Sequence, residues 1–580
     1  MRCAVICYVK LGGTSREVAL WPNFCGTGQD STGDLVNYNT LKMMPAPLGE
    51  LKRMKRRDVL KTALAGATAL AAPRIVQAEG AKTITFTPHA DLASLDPVWT
   101  TADITRNFSL AVYDTLYGYD ADFNVQPQMV EGHVVANDGK QWDLTLRDGL
   151  AFHDGTAVLA RDCVATIQRC GKRYPFVETL MSRTDELTAV SDKVVRFRLK
   201  KPFALLPNAL AEIYCAIMPE RLAKTDPMTQ VSEAMGSGPF KYLAAERIPG
   251  QRVVYAKNDK YVPRADGKPS FNAGPKVAYV DHVVWNFIPD PATASAALTQ
   301  GEIDWWENPT IDLVPQLKRN KDITLVVKDR TGEIGCLRFN HLFPPFDNAA
   351  IRRVVVAAMD QKEIMEAVAG ADPSLIKTDV GIFVPGTPMA STVGVEVTRG
   401  PKDYEKLKQD LIAAGYKGEK VVILAASTIP TIWAEAQVAS DTLKKIGMNT
   451  DFQSMEWGTV VARRASQEPI DKGGWNIFYT YLGGFGNISP APNITFKSSG
   501  TKSNWFGWPT DEKMEELRAA WYDAEDEAAQ KALCEAMQVE FWKSPPYAPL
   551  GMYDQPTAFR NYLQDIHDGW PQFYGVKKNA

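Results

Sequence analysis

Two adjacent tryptophans and an acid, Trp305-Trp306-Glu307-Asn308, form the stretch whose residue types best suit capture of a small molecule. Neighbouring indoles at the end of one segment do not both face one core. A carboxylate beside aromatic faces suits a cationic group, with about 0.5–2 kcal/mol of cation–π attraction on offer. A second stretch, Trp475 to Asn487 (WNIFYTYLGGFGN), brings Tyr479, Tyr481 and Phe485 and no acidic residue. Trp99, Trp433, Trp457 and Trp505 add further rigid, amphipathic surface of the kind that encloses a solute in a cleft. Arg338 supplies a fork for a carboxylate if it faces that cleft. The candidate ligand-binding set is therefore Trp99, Trp305, Trp306, Glu307, Arg338, Trp433, Trp475, Tyr479, Tyr481 and Phe485. The competing reading for any one of these aromatics is a place in the core.

Catalytic chemistry has no comparable signature. The six histidines (His89, His133, His153, His282, His341 and His567) are scattered, without the spacing of a metal site. No Gly-x-Ser-x-Gly, Walker A or dinucleotide fingerprint follows a strand. Gly236-Ser237-Gly238-Pro239 is a tight corner and not a phosphate loop: no Gly-Lys-Ser/Thr follows, and Pro239 lacks an amide donor. No enzyme activity and no cofactor are expected.

The elements that position these residues centre on Asp138–Arg169. Asp138-Gly139 is a turn. Trp142, Leu144 and Leu146 alternate with Asp143, Thr145 and Arg147, the period of a half-buried strand. Asp148-Gly149 turns the chain into Leu150-Ala151-Phe152, and Asp154-Gly155 turns it again. Val164 and Ile167 then recur at helical spacing, with Asp162 in the first turn. This run resembles the signature of the family 5 extracytoplasmic solute-binding proteins, the receptors of peptide, nickel and opine ABC importers. The resemblance is carried by Trp142-Asp143-Leu144-Thr145-Leu146-Arg147-Asp148-Gly149, by Phe152-His153-Asp154-Gly155-Thr156 and by Ala160-Arg161-Asp162-Cys163. Leu159 departs from it, standing where the family has a helix-capping Thr.

Further matches extend the resemblance over residues 83–565. Gly236-Ser237-Gly238-Pro239-Phe240 is similar to the family's Gly/Pro crossover, and Gly301-Glu302-Ile303-Asp304 to its Gly-Glu-Ile-Asp element. Asn340, Pro345-Phe346-Asp347-Asn348, Arg352 and Leu411-Ile412-Ala413-Ala414-Gly415-Tyr416 match its third segment. Gly415 fits a helix C′ position. The resemblance implies an α/β periplasmic-binding-protein fold of the cluster C type: two large hinge-linked lobes with an extra domain. The expected bounds are lobe I at 79–120, 236–330 and 548–580, an inserted domain II at 121–235, and lobe III at 331–547. It also implies a monomer that delivers its ligand to ABC permease subunits. In the family's peptide receptors the loop matching Tyr481-Leu482-Gly483-Gly484-Phe485-Gly486-Asn487 carries an Asp that pairs with the ligand's ammonium. Its absence here puts ordinary peptides in doubt unless Glu307 substitutes, because a buried ammonium without an anion is costly. A secreted hydrolase or a ligand sensor on the same scaffold is the alternative reading.

The charge balance agrees with an exported protein. Residues 1–78 carry eleven Lys/Arg against five Asp/Glu (+6), and the remainder carries 54 against 63 (−9). A mildly acidic body disfavours nucleic acid as a partner. Lys52 to Arg57 is basic, and Val59 to Ala72 is a weakly apolar run of 14 residues, short of the roughly 20 that span a membrane. Val76-Gln77-Ala78 offers small residues for cleavage. Arg56-Arg57-Asp58-Val59-Leu60-Lys61 resembles the twin-arginine export motif, so 54–78 reads as a leader to the periplasm through the twin-arginine translocase. Residues 1–53 read as a non-translated or disordered extension. Five cysteines remain beyond the leader. Cys163 and Cys170 lie about 10.5 Å apart along a regular helix and do not bridge each other. The odd count leaves room for a single disulfide.

Overall fold

The computed structural model describes residues 82–579, apart from 371, 503 and 504, and the backbone of a short hairpin, Tyr8–Leu11 paired antiparallel with Thr14–Glu17. The chain divides into two compact units, Met1–Val76 and Gln77–Ala580. Hairpin aside, the readings placed on 1–53 and 54–78 lie outside the described residues.

Two mixed sheets dominate the second unit. A seven-stranded sheet runs in the order Phe240–Tyr242, Arg252–Lys257, His282–Asn286, Thr83–Thr87, Trp305–Trp306, Pro556–Arg560, Ile323–Val327. Thr83–Thr87 is its spine, parallel to the strands on either side. The ring of Phe86 lies 5.2 Å from Trp305, 5.7 Å from Trp285 and 5.1 Å from Phe573. This aromatic stack fills one face. The six-stranded sheet runs Ile376–Lys377, Tyr547–Tyr553, Glu333–Phe339, Ile477–Gly483, Lys420–Ala426, Asn449–Met455. Every residue of Tyr547–Tyr553 is buried, as expected for a strand covered on both faces.

The chain passes between the two sheets twice. One passage follows Val327 and the other follows Tyr553. Tyr547–Tyr553 therefore belongs to the six-stranded sheet, and the return begins after Tyr553 and not at 548, because Ile334 and Met552 are paired in register.

The Asp138–Arg169 module lies in a separate four-stranded antiparallel sheet, Val130–Ala136, Gln141–Leu146, Val194–Leu199, Thr184–Ala189. Gln141–Leu146 shows the alternating burial its sequence predicts, and Ala160–Cys170 is helical. The Leu159 amide is satisfied from within the helix by Asp162 Oδ2 at 2.8 Å, so the missing Thr cap costs only half of the usual reciprocal pair. His153 takes a turn position, donating its amide to Gly236 O at 2.9 Å, with ring Nε2 3.1 Å from Gly238 O. A helix, Asp103–Val112, follows the strand Thr83–Thr87 of the seven-stranded sheet. It stops where Gly238 donates to Val112 O at 2.9 Å. A side chain at Gly236 or Gly238 would strike the backbone of Val112, so both glycines are required for that crossover to pass.

Cys170 is disulfide-bonded to Cys215, with Cα atoms 5.7 Å apart, and Cys163, Cys336 and Cys534 are buried free thiols. Among the described residues no helix is long and apolar enough to cross a membrane.

Candidate ligand-binding site

Helices, loops and the strand Ile477–Gly483 wall one cavity. The helix Asp103–Val112 contributes Asp103 and Arg106. The loop after the helix Leu206–Leu210 contributes Glu212, Ile213 and Tyr214. From the six-stranded sheet's side come Trp457, Arg464, Thr480 to Gly483, Phe485 and Trp505, and Trp570 enters from the C-terminal segment. A second cavity shares Asp103, Arg106, Tyr481, Gly483 and Trp570 with the first. It extends to His89, Trp305, Glu307, Asp329 and Glu333.

Local chemistry holds these walls in place. Tyr214 stacks flat on Tyr174, centroids 4.9 Å apart, and the neighbouring Cys215 ties its loop to the helix Ala160–Cys170 through the disulfide. Arg106 pairs with Asp103 at 2.9 Å and lies 4.5 Å over the Trp570 ring, so its charge is already neutralised. Phe485 packs edge-on against Trp570 at 5.2 Å and against Tyr119 at 5.0 Å.

Glu307 is fully engaged. His89 gives it a 2.7 Å contact from Nδ1 and a 2.8 Å amide bond, and Asn107 Nδ2 donates to its other oxygen at 2.7 Å. Burial alone would raise the Glu307 carboxyl, but His89 overrides that and holds it below the usual carboxylate range. Burial would likewise lower His89, and Glu307 raises it instead. The cation expected beside Glu307 is thus the protein's own histidine. Two other acids lack such a partner. Burial pushes Glu333 up to about 8, and its Oε2 has no hydrogen bond. Burial also raises Asp329, whose Oδ1 accepts only from Thr331. Glu333 sits opposite Gly483 in the strand register, next to the loop where the sequence lacks an acid. Glu212, also buried, is raised to about 7.

The sequence-derived set divides. Tyr481 and Phe485 line the first cavity, Tyr481, Trp305 and Glu307 the second. Trp305 nevertheless presents most of its surface to the sheet core, with Nε1 donating to Thr557 Oγ1 at 2.7 Å. Trp306 points the other way, into a separate small cluster with Leu298 and Leu317, and lines a third cavity beyond His89. Trp99 borders a narrow crevice next to Trp505. Arg338, Trp475 and Tyr479 are wholly buried inside the six-stranded sheet's lobe. Arg338 lines none of the described cavities: it donates to Phe506 O at 2.7 Å and Thr495 O at 2.6 Å beneath the Trp505 ring. Trp475 packs on Phe478 and Trp508, and Tyr479 bonds Ser440. Trp433 packs against Phe452, away from the described cavities. The sequence reading missed Arg106, Glu212, Tyr214, Arg464, Glu333 and Trp570. One signal was available: Trp457 and Arg464, seven residues apart on one helical run, share a face.

Residues 124–505 match the model for bacterial extracellular solute-binding proteins, family 5 middle region. The chain belongs to this family. A family 5 protein of this kind is the periplasmic solute-binding component of an ABC importer, not an enzyme. The chain is 37% identical over 522 residues to "Probable peptide ABC transporter periplasmic-binding protein y4tO" of Sinorhizobium fredii, covering 88% of this chain and 97% of that one. It is 24% identical to the glutathione-binding protein GsiB of Escherichia coli, covering 85% and 91%. The fold of this solute-binding protein superposes on the periplasmic binding protein AgaA of A. tumefaciens, solved with agropinic acid. The TM-score is 0.71 at 22% identity, over 86% of this chain and 99% of that one.

Proposed function

We propose that this solute-binding protein captures a small organic solute, peptide- or opine-like, in the Arg106–Arg464 cavity and hands it to ABC permease subunits. The carrying observation is a cavity walled by the helix Asp103–Val112 and Trp570 on one side and by Tyr481, Trp457 and Arg464 on the other, so that closure of one lobe on the other seals it. Lobe I comprises 79–120 and 236–330 with the returning C-terminal segment, domain II 121–235, and lobe III the six-stranded sheet and its helices. A ligand that contacts both lobes favours the closed state by its differential affinity alone. The peptide, glutathione and agropinic acid named for the relatives support a solute that combines amide or carboxylate groups with an apolar body. Glu333 and Asp329 line the neighbouring cavity beside the loop that lacks its acid, as buried carboxyls raised above their ordinary values. The Arg56-Arg57 leader supports export through the twin-arginine translocase as a folded monomer.

Native mass spectrometry of the purified protein, followed by thermal shift with whatever co-purifies, tests the reading. A true ligand at about 100 times its dissociation constant stabilises the fold by roughly 2.7 kcal/mol. A protein that carries no small molecule and whose melting is moved by none of the peptides or opines offered would contradict it.

A further inference from the structure

We propose that the Cys170–Cys215 disulfide is a latch on the first cavity, so that solute capture depends on the oxidation of these two thiols. The inference deepens the solute-binding reading and rests on it.

The bond sits directly behind the cavity wall. Glu212, Ile213 and Tyr214 line the cavity, and Cys215 follows them in the chain. Tyr174, just beyond Cys170, lines it too, and Tyr214 stacks on that ring with centroids 4.9 Å apart and planes within 5° of parallel. The stack in turn grips lobe I. Tyr174 Oη donates to Pro97 O at 2.7 Å, Arg173 Nη2 to Trp99 O at 2.7 Å and Tyr214 Oη to Thr101 O at 3.4 Å. Thr101 and Ala102 line the cavity where the helix Asp103–Val112 begins, and no side chain caps that helix. The position of its first turn therefore relies on the loop that the two tyrosines hold.

Apart from the disulfide, the main chain behind the wall is lightly held. From Glu212 to Ala216 its hydrogen bond runs within the loop, Cys215 N donating to Glu212 O at 2.8 Å. The main chain is next tied down at Ile217, which donates to Asp114 O at 2.9 Å. Both half-cystines are buried, Cys170 at 0% and Cys215 at 3% exposure. An oxidant reaches the sulfurs only while this loop stands away from the helix Ala160–Cys170, so the reduced chain visits a form whose cavity lacks the wall.

Closure passes two electrons and two protons from the thiols to the disulfide of a thiol–disulfide oxidant, which leaves as a dithiol. The export reading gives the device a use. A chain translocated already folded, with its thiols reduced, carries the wall unlatched and closes it where disulfides persist. A cross-link that acts on the unfolded chain alone raises stability without touching the affinity of the folded state. The two roles therefore separate in solution.

The test combines ligand-free hydrogen exchange by mass spectrometry with calorimetry on the full mature protein in two forms. The oxidised form has three cysteines to alkylate after unfolding, and the form prepared under reductant has Cys170 and Cys215 as well. The calorimetric probes are dipeptides, tripeptides and agropinic acid. In the reduced form the amides of Ile213 to Ala216 are expected to exchange about tenfold faster, with the strand Lys420–Ala426 unchanged. The probe bound most tightly by the oxidised form is expected to bind the reduced form about tenfold more weakly. Reoxidation with hydroxyethyl disulfide is expected to restore both, and the double variant Cys170→Ala/Cys215→Ala to stay in the weak state throughout. If that variant does not fold, the reduced and reoxidised wild type decide alone. Equal affinity in the two forms, or wall amides exchanging at one rate, would overturn the latch and leave the receptor standing. A lower melting temperature in the reduced form with unaltered affinity would assign the disulfide to the unfolded chain. If the oxidised form binds no probe, that counts against the solute class, and the exchange rates decide the latch.

Discussion

Single buried carboxyls set the electrostatic character of these cavities, and Glu212, raised to about 7, is joined near neutral pH by Glu333. Its ordinary value is 4.5, and burial, helped by the nearby charges of Asp103 and Asp329 against that of His89, raises it to about 8. Tyr553 also contacts it. A carboxyl whose folded value lies above its unfolded value stabilises the fold in its protonated form. That contribution is complete below about pH 4.5 and is lost as pH rises through about 8. Glu333→Gln, which keeps the shape and removes the proton equilibrium, is thus expected to melt with the wild type at pH 5 and clearly above it at pH 8.5. Parallel melting curves across that range would show that Glu333 is solvated and ionised throughout. Glu435, beneath the same strand with neither oxygen bonded, is also pushed well above its ordinary value by burial.

At the scale of elements, the passage from the seven-stranded to the six-stranded sheet turns on Gly332. Its φ of +64° lies in the left-handed region, and a Cβ there would meet Met552 Cε, Asp554 Oδ1 and Tyr553 O of the second passage. Its carbonyl also accepts from Gly484 N at 2.8 Å. The two passages are packed so closely that no side chain fits between them. Gly332→Ala is expected to cost about 1–3 kcal/mol, read as a lower urea midpoint, and to weaken ligand affinity if these passages are the hinge. A variant as stable as the wild type with unaltered affinity would place the hinge elsewhere. The sequence made the neighbouring elements legible for local reasons. Trp142, Leu144 and Leu146 alternate because one face of their strand is buried, and Gly415 ends its helix with a φ of +101°. The site was less legible because facing is a tertiary property. Arg338 and Arg464 are both buried arginines, yet one is tied to carbonyls inside a lobe and the other lines the cavity. Trp305 and Trp306 do face opposite ways, as adjacent strand residues must. What lies on either side of them is set by strands from the two ends of the chain, at 83–87 and 556–560.

For the whole molecule, the long-range resemblance could be read because it rests on turns and crossovers that recur in order. Gly236 and Gly238 are fixed by the backbone of Val112, and His153 joins the inserted sheet to that same corner. These constraints preserve how the lobes are connected while leaving the cavity walls free to vary, which is why the fold speaks more clearly than the ligand. Closure of the lobes around a solute is the claim on which everything else depends. Small-angle scattering of the mature protein, with and without a saturating ligand identified by mass spectrometry, measures it directly. The account predicts a smaller radius of gyration and a shorter maximum dimension in the bound state. Identical scattering profiles at full saturation would contradict it.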